Sequence, residues 1–208
     1  MAMMKFIVLE GIDSSGKSTQ ASLLQEYFIS RGEKAVISSE PTDGPIGKLI
    51  RQAMQSPIIA IEDRKRFDEQ MAYLFAADRH YHLYNEEAGI LYLTGKKQTH
   101  VISTRYYFSS LAYNCNDDEE FHFVSQLNRK FPNPDGVIYI DLPVQVSLNR
   151  LEKREKREIY EQQDKLIQVS NNFQKIFANY EGNFLKIDGT EMIENIHKKI
   201  VDWLIDIK

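Results

Sequence analysis

Phe6-Ile-Val-Leu-Glu-Gly-Ile-Asp-Ser-Ser-Gly-Lys-Ser-Thr19 decides how the rest of this chain is read. The apolar run Phe6 to Leu9 has the length and composition of a buried parallel strand. Gly11, Gly16, Lys17 and Ser18 then fit the pattern G-x-x-x-x-G-K-[ST], a P-loop. Leu23, Leu24, Tyr27 and Phe28 follow at helical spacing, so the motif stands between a strand and a helix, the context it requires. Glycine lets the backbone turn tightly and approach an anion closely. Backbone N–H groups of the loop and of the helix N-terminus then point at one phosphate. The candidate triphosphate cradle is therefore Gly11, Ile12, Asp13, Ser14, Ser15, Gly16, Lys17, Ser18 and Thr19. Lys17 adds a mobile positive charge for the outer phosphates, and the Ser18 hydroxyl is placed to ligate Mg²⁺. The competing reading is a glycine-containing turn that caps a helix.

Bulk properties narrow the rest. With 208 residues, 42% hydrophobic and 27% charged, the chain suits one globular domain, residues 1–208, with a sizeable core. A net charge of −4 gives no global basic field, so nucleic acid is not expected as a partner. Its single cysteine, Cys115, has no internal disulfide partner, which fits a reducing compartment; the expected location is cytoplasmic. No run approaches the ~18 consecutive apolar residues of a membrane span. The N-terminus lacks the charged region and apolar core of a secretion signal.

Beyond the P-loop, short apolar segments alternate with helical patterns. Strands are expected at Ala35–Ile37, Val101–Ile102, Val137–Ile140 and Phe184–Ile187. Ser39-Glu-Pro-Thr-Asp-Gly-Pro45 is a turn-rich loop, and Pro45 opens a helix through Met54. Asp63 to about Leu93 reads as one long helix with Phe67, Met71, Leu74 and Phe75 in a stripe that Leu83 and Leu91 continue. Helices follow near Tyr107, after Asp117 or Asp118, near Pro143, from about Tyr160 to Tyr180, and from Ile193. The pattern predicts an α/β fold, with a parallel sheet between two helical layers. Ligands of such folds bind at the carboxyl ends of strands, so residues 10–18, 39–45, 103–106 and 141–143 should carry the chemistry.

Those loops resemble the thymidylate kinases, P-loop enzymes that move a phosphoryl group from ATP to dTMP. The resemblance rests on Glu10-Gly-Ile-Asp-Ser-Ser-Gly-Lys-Ser-Thr-Gln20, Glu40-Pro41 with Ile46-Gly-Lys-Leu-Ile50, and Leu74-Phe-Ala-Ala-Asp-Arg79. It continues with Arg105-Tyr106, Ser109 and Ala112-Tyr113, then Pro134-Asp135, Ile138-Tyr-Ile-Asp141 and Asp188-Gly189, in the family's order. It implies a P-loop NTPase-like three-layer fold with a five-stranded parallel sheet and a small lid, and a homodimer. ATP with Mg²⁺ would sit on the P-loop. Phe75 matches the aromatic that stacks on thymine, and Arg79, at i+4 on the same helix face, matches the residue that hydrogen-bonds a thymine carbonyl. Arg105 matches the arginine that holds the monophosphate, a role suited to a planar guanidinium. Ser110 and Tyr113 fall where the family contacts base and deoxyribose. Asp13 matches an acidic residue beside the acceptor's sugar and phosphate, and Glu40 joins the acceptor site. With Ser14 and Ser15 in the P-loop, the catalytic arginine some members carry there is missing. A lid at about 152–160, with Arg154, Lys156 and Arg157 as candidates, would supply it. The bland readings of these same residues are core packing, surface ion pairs and a solvated charged helix.

Two departures stand out. Thr104-Arg105-Tyr106 replaces the usual Asp-Arg-Tyr, removing a carboxylate that supports Mg²⁺, and Ser39 stands where many relatives carry arginine. They keep two alternatives open: a kinase for another monophosphate or a deoxynucleoside, with Glu40 as base, or a nucleotide-binding homologue with weak catalysis.

Overall fold

A computed structural model describes residues 5–55, 58–152 and 159–207. The lid expected at 152–160, with Arg154, Lys156 and Arg157, lies almost wholly outside the described residues. Five strands form one parallel sheet: β1 Phe6–Glu10, β2 Ala35–Ser39, β3 His100–Thr104, β4 Gly136–Asp141 and β5 Phe184–Asp188, in the order β2-β3-β1-β4-β5. The helices are α1 Lys17–Ser30, α2 Pro45–Gln55, α3 Arg64–Tyr84, α4 Ile90–Gly95, α5 Tyr107–Tyr113, α6 Asp118–Asn128, α7 Val144–Glu152, α8 Ile159–Ala178 and α9 Ile193–Asp206.

β1 is central and wholly buried, and its alternation builds both layers. Phe6 and Val8 pack on one face with Phe108 of α5 and Val169, Phe173 and Phe177 of α8. Ile7 and Leu9 pack on the other with Ala21 and Leu24 of α1 and Ile196 and Ile200 of α9. Period-two side chains facing two apolar layers explain why the strand reads as an unbroken apolar run. Because β1 pairs β3 on one side and β4 on the other, the crossovers diverge at its carboxyl end. That opens a crevice at the end of Glu10.

The long helix expected over 63–93 is instead two, α3 and α4. The Asn85 side chain accepts from the N–H groups of Glu87 (2.9 Å) and Ala88 (2.8 Å), making a local turn that outcompetes helix continuation. Leu83 stays buried, but Leu91, on the second helix, is exposed rather than part of the stripe. Asp63 and Asp117 cap α3 and α6 by accepting from Arg66 N and Glu120 N.

Candidate functional site

The loop after β1 has the geometry its sequence implies. Gly11 has φ +145°, and a Cβ there would lie 2.6 Å from the Ile140 carbonyl oxygen. Gly16 precedes α1 at φ +104° and supplies no side-chain cap, so the first N–H groups of α1 are left for a ligand. Lys17 folds back across the loop, donating to Gly11 O (2.9 Å) and Ile12 O (2.7 Å). Its burial, with the Arg105 guanidinium nearby, lowers its pKa to about 7. Ser18 and Thr19 are exposed at the helix start. From α7, Ser147 Oγ donates to Asp13 O (2.7 Å) and Arg150 Nη1 to Ser14 O (3.0 Å), bracing the loop from behind.

Beside this loop lies a pocket of about 300 Å³. Asp13, Glu40, Phe75, Arg79, Arg105, Ser110 and Tyr113, each named from sequence, all line it. They come from the P-loop, the β2–α2 loop, α3, the β3–α5 loop and α5. Arg105 sits at φ +76°, a conformation a bulky side chain rarely adopts. It is pinned there by its N–H to Leu9 O (3.0 Å). Its guanidinium donates to Asp13 Oδ1 (2.6 Å), Ser109 Oγ (3.0 Å) and Tyr113 Oη (3.2 Å). Tyr113 Oη in turn donates to Asp13 Oδ2 (3.0 Å). Burial works to raise the Asp13 pKa, yet Arg105, Lys17 and Tyr113 together hold it below the usual carboxylate range. Burial raises the Tyr113 pKa, keeping its hydroxyl a donor.

Arg79 is 1% exposed. Its guanidinium lies 5.4 Å from the Tyr106 ring centroid and 5.7 Å from that of Phe131. Nη2 donates to Glu40 Oε2 (2.6 Å) and Ser110 Oγ (3.1 Å), and Nη1 donates to Asn128 Oδ1. Nε is buried with no partner among the described residues. Glu40 is committed to Arg79 and to His82 Nδ1 (3.2 Å), so the reading of Glu40 as a free base for a neutral hydroxyl loses its footing.

Sequence reading missed the groups behind these side chains. Glu10 is completely buried at the end of β1. Its carboxylate accepts from Tyr106 N (2.7 Å), Ser109 N (3.3 Å) and Ser109 Oγ (2.7 Å), tying the β3–α5 loop to the P-loop strand. Burial raises its pKa, against the opposing pull of Arg105. Asp78 accepts from Thr42 N (2.7 Å) and Oγ1 (2.6 Å), locking α3 to the β2–α2 loop. A charged residue inside an apolar strand or stripe was the available signal for both. Asn114, whose Nδ2 is buried without a partner, and Lys165 of α8 also line the pocket and carried no local signal. Asp141, which ends β4, is ion-paired to Lys186 (2.8 Å).

A glycine loop opening a helix at the carboxyl end of a central parallel strand, flanked by a pocket holding a phosphate-type arginine, defines a P-loop nucleotide kinase. A family model described as thymidylate kinase matches residues 9–200, and the chain belongs to the thymidylate kinase family. It is 40% identical over 206 residues to a "Probable thymidylate kinase" of Thermococcus kodakarensis, covering 94% of this chain and 95% of that protein. A protein of the same name from Methanococcus aeolicus is 33% identical, covering 99% of this chain and 98% of the relative. Another, from Pyrococcus horikoshii, is 39% identical over 94% of this chain and 93% of its own length. No helix among the described residues is long and apolar enough to cross a membrane.

Proposed function

We propose that the chain transfers the γ-phosphoryl group of ATP to dTMP, giving dTDP and ADP. ATP occupies the loop 11–19 and dTMP the adjacent pocket. The observation that carries the acceptor is one pocket that brings Phe75 and Arg79, an aromatic face and a guanidinium, together with Arg105. A guanidinium beside the ring offers N–H donors suited to a base carbonyl. Phe75 supplies a face for stacking, which discriminates little between bases, so selectivity falls to Arg79 and Ser110.

Arg105 is poised for the dTMP phosphate. Asp13, Ser109 and Tyr113 hold its guanidinium before any ligand arrives, so little ordering remains on binding. An ionised phosphate oxygen needs no general base, so alignment and charge neutralisation do the work. Lys17 leaves its carbonyl partners to meet the β- and γ-phosphates, and the N–H groups of α1 complete the cradle. Arg154 and Arg157 of the lid belong to the same proposal as the cations that meet charge on the transferring group.

The residues present fit Mg²⁺ carried by ATP. Among the described residues no three His, Cys, Asp or Glu side chains converge to cage a metal, while the Ser18 hydroxyl is exposed beside the phosphate cradle. Such a donor set suits an ion whose other ligands are phosphate oxygens and water. When bound, the ion neutralises phosphate charge.

A homodimer and a cytoplasmic location complete the reading. Tyr73, Tyr81 and Tyr84 form an exposed aromatic face on α3, which supports pairing through that helix. Cys115, the only cysteine, is buried, and burial pushes its thiol up to about 12, as suits an inert residue in a reducing compartment. A coupled assay with dTMP, dUMP, dCMP and thymidine tests the assignment: dTMP should be preferred, and preference for thymidine would overturn it.

A further inference from the structure

Behind the acceptor pocket lies a line of buried polar groups that the proposed mechanism does not use. His82 follows Arg79 by three residues on α3 and is 6% exposed. It does not line the pocket. Its Nε2 is hydrogen-bonded to Ser38 Oγ on β2, and its Nδ1 lies 3.2 Å from Glu40 Oε1. The other Glu40 oxygen receives Arg79 Nη2 at 2.6 Å. We infer that His82 is a positioning residue for acceptor-base recognition: through Glu40 it fixes the plane of the Arg79 guanidinium in the pocket wall. This rests on the reading of the pocket as the dTMP site.

Glu40, at the centre of the line, is short of alternatives. Glu40 is 4% exposed, so water does not replace a lost partner easily. With His82 in place, its carboxylate is held from both ends. Without it, the Oε1 side is unpaired and the carboxylate is free to turn about its last torsion. Arg79 follows, because Nη1 is held by Asn128 and Nη2 by Glu40 at 2.6 Å and more loosely by Ser110 at 3.1 Å, and losing the tight contact loosens the fork. The Tyr106 and Phe131 rings near the guanidinium constrain its depth, but rings do not choose where an N–H points. The His82 ring meets the requirement in either protonation state. Neutral, it donates from Nδ1 to Glu40 and accepts at Nε2 from Ser38; protonated, it donates to both. A carbonyl on the base accepts from a guanidinium N–H held in that plane, whereas an exocyclic amino group in its place opposes donor to donor. The relay therefore bears on discrimination between dTMP and dCMP as well as on affinity.

Two nearly isosteric substitutions separate positioning from bulk packing. In His82→Asn the amide nitrogen falls near the place of Nδ1, keeping a donor to Glu40. In His82→Gln it reaches toward the place of Nε2, keeping the Ser38 contact and losing that to Glu40. The expected result is that His82→Gln, and His82→Phe as the volume-matched control, raise KM for dTMP about tenfold and narrow the dTMP-over-dCMP preference. The kcat at saturation and KM for ATP should stay within about twofold, and His82→Asn should remain near the parent values. In a Glu40→Gln background, His82→Phe should add little, because the two changes break one line. Equal behaviour of the Asn and Gln variants, or a parallel loss of kcat and of both affinities, would overturn the inference. Should His82→Phe fail to fold, the Asn–Gln contrast carries the test alone. If the unsubstituted protein does not phosphorylate dTMP, the pocket assignment falls first, which a null effect of the variants on an active enzyme would not imply.

Discussion

Between Gly11 and Thr19 the groups offered to a ligand are backbone N–H donors, one lysine and two exposed hydroxyls, all from a single contiguous stretch. In the acceptor pocket they are side chains from five parts of the fold, most of them already paired with one another. Arg105 is bonded to three neighbours, and Arg79 to three others, before any nucleotide is present. On the proposed assignment the donor half recognises what every nucleoside triphosphate shares, so a loop suffices. The acceptor half must tell one base and one sugar from others. That requires donors held in fixed directions, and fixed direction comes from packing and hydrogen bonding behind the contact.

The contrast is tested most severely at Lys17. Lys17→Ala should cut kcat by about 10²–10³-fold, the usual result of removing one positioned group that meets developing charge. Its effect on KM for dTMP should be small. An initial-rate study varying each nucleotide separately checks this, and near-normal turnover would break the assignment of the donor half.

Arg105→Ala should give the mirror image. Losing a charge-assisted fork onto phosphate should raise KM for dTMP by roughly 10²-fold while KM for ATP moves little. Arg105→Lys should recover only part, since an ammonium lacks the planar pair of donors that Asp13 and Ser109 orient. Equal loss toward both nucleotides would show that Arg105 supports the P-loop strand rather than the acceptor. Phe75→Ala comes next, with a loss of about tenfold in dTMP affinity, in line with ~1–3 kcal/mol for stacking a base on an aromatic ring. Calorimetric titration with dTMP measures it.

These same two halves differ in how much could be read from sequence. Strand, loop and helix are adjacent in the chain around Gly11 to Ser18, so spacing alone predicted the strand–loop–helix that forms there. Phe75 and Arg79 shared a helix face and were legible as a pair, but which pocket they faced came from family resemblance. Glu10, His82 and Asn128 were invisible as a set because the pocket residues they hold lie 42 to 99 residues away, as with His82 and Glu40 or Glu10 and Ser109. The break between α3 and α4 was missed for a different reason: an Asn side chain bonding its own backbone leaves no trace in hydrophobic periodicity. The sheet was legible throughout because each strand carries a short apolar run, continuous and buried in the inner strands β1, β3 and β4 and shorter in the half-exposed edge strands β2 and β5.

Proton linkage probes the donor half without mutation. Lys17 in the free protein titrates near 7, lowered chiefly by burial and then by Arg105. Polyphosphate stabilises the ammonium, so binding raises that pKa and takes up protons. Uptake should therefore grow as pH rises from about 6 to 8, and ATP affinity should weaken over the same window, by at most about tenfold per unit. Titrations at pH 8 in buffers of different ionisation enthalpy read the uptake directly; no buffer dependence would mean that Lys17 is already charged. For folding the sign differs. The unfolded chain, with lysine near 10.5, binds more protons between about 7 and 10.5, so this group makes the free protein more stable as pH rises through that range.

Thr104 offers the smallest and most discriminating change. It ends β3 in register with Leu9 of β1 and Ser39 of β2, level with the base of the P-loop and next to Arg105. A carboxylate there would stand beside the Arg105 cation at the base of the P-loop. Because ATP brings most of the ligands, one further contact through water is worth about 1 kcal/mol, so Thr104→Asp should lower the Mg²⁺ concentration for half-maximal rate by roughly fivefold. KM for dTMP should rise slightly, since the new charge competes with the acceptor phosphate for Arg105. An unchanged Mg²⁺ requirement would mean that the threonine hydroxyl, or a water it holds, already provides that support. The missing aspartate would then mark no deficit, and the two halves would divide as their geometry suggests: metal and phosphate on the loop, recognition in the pocket.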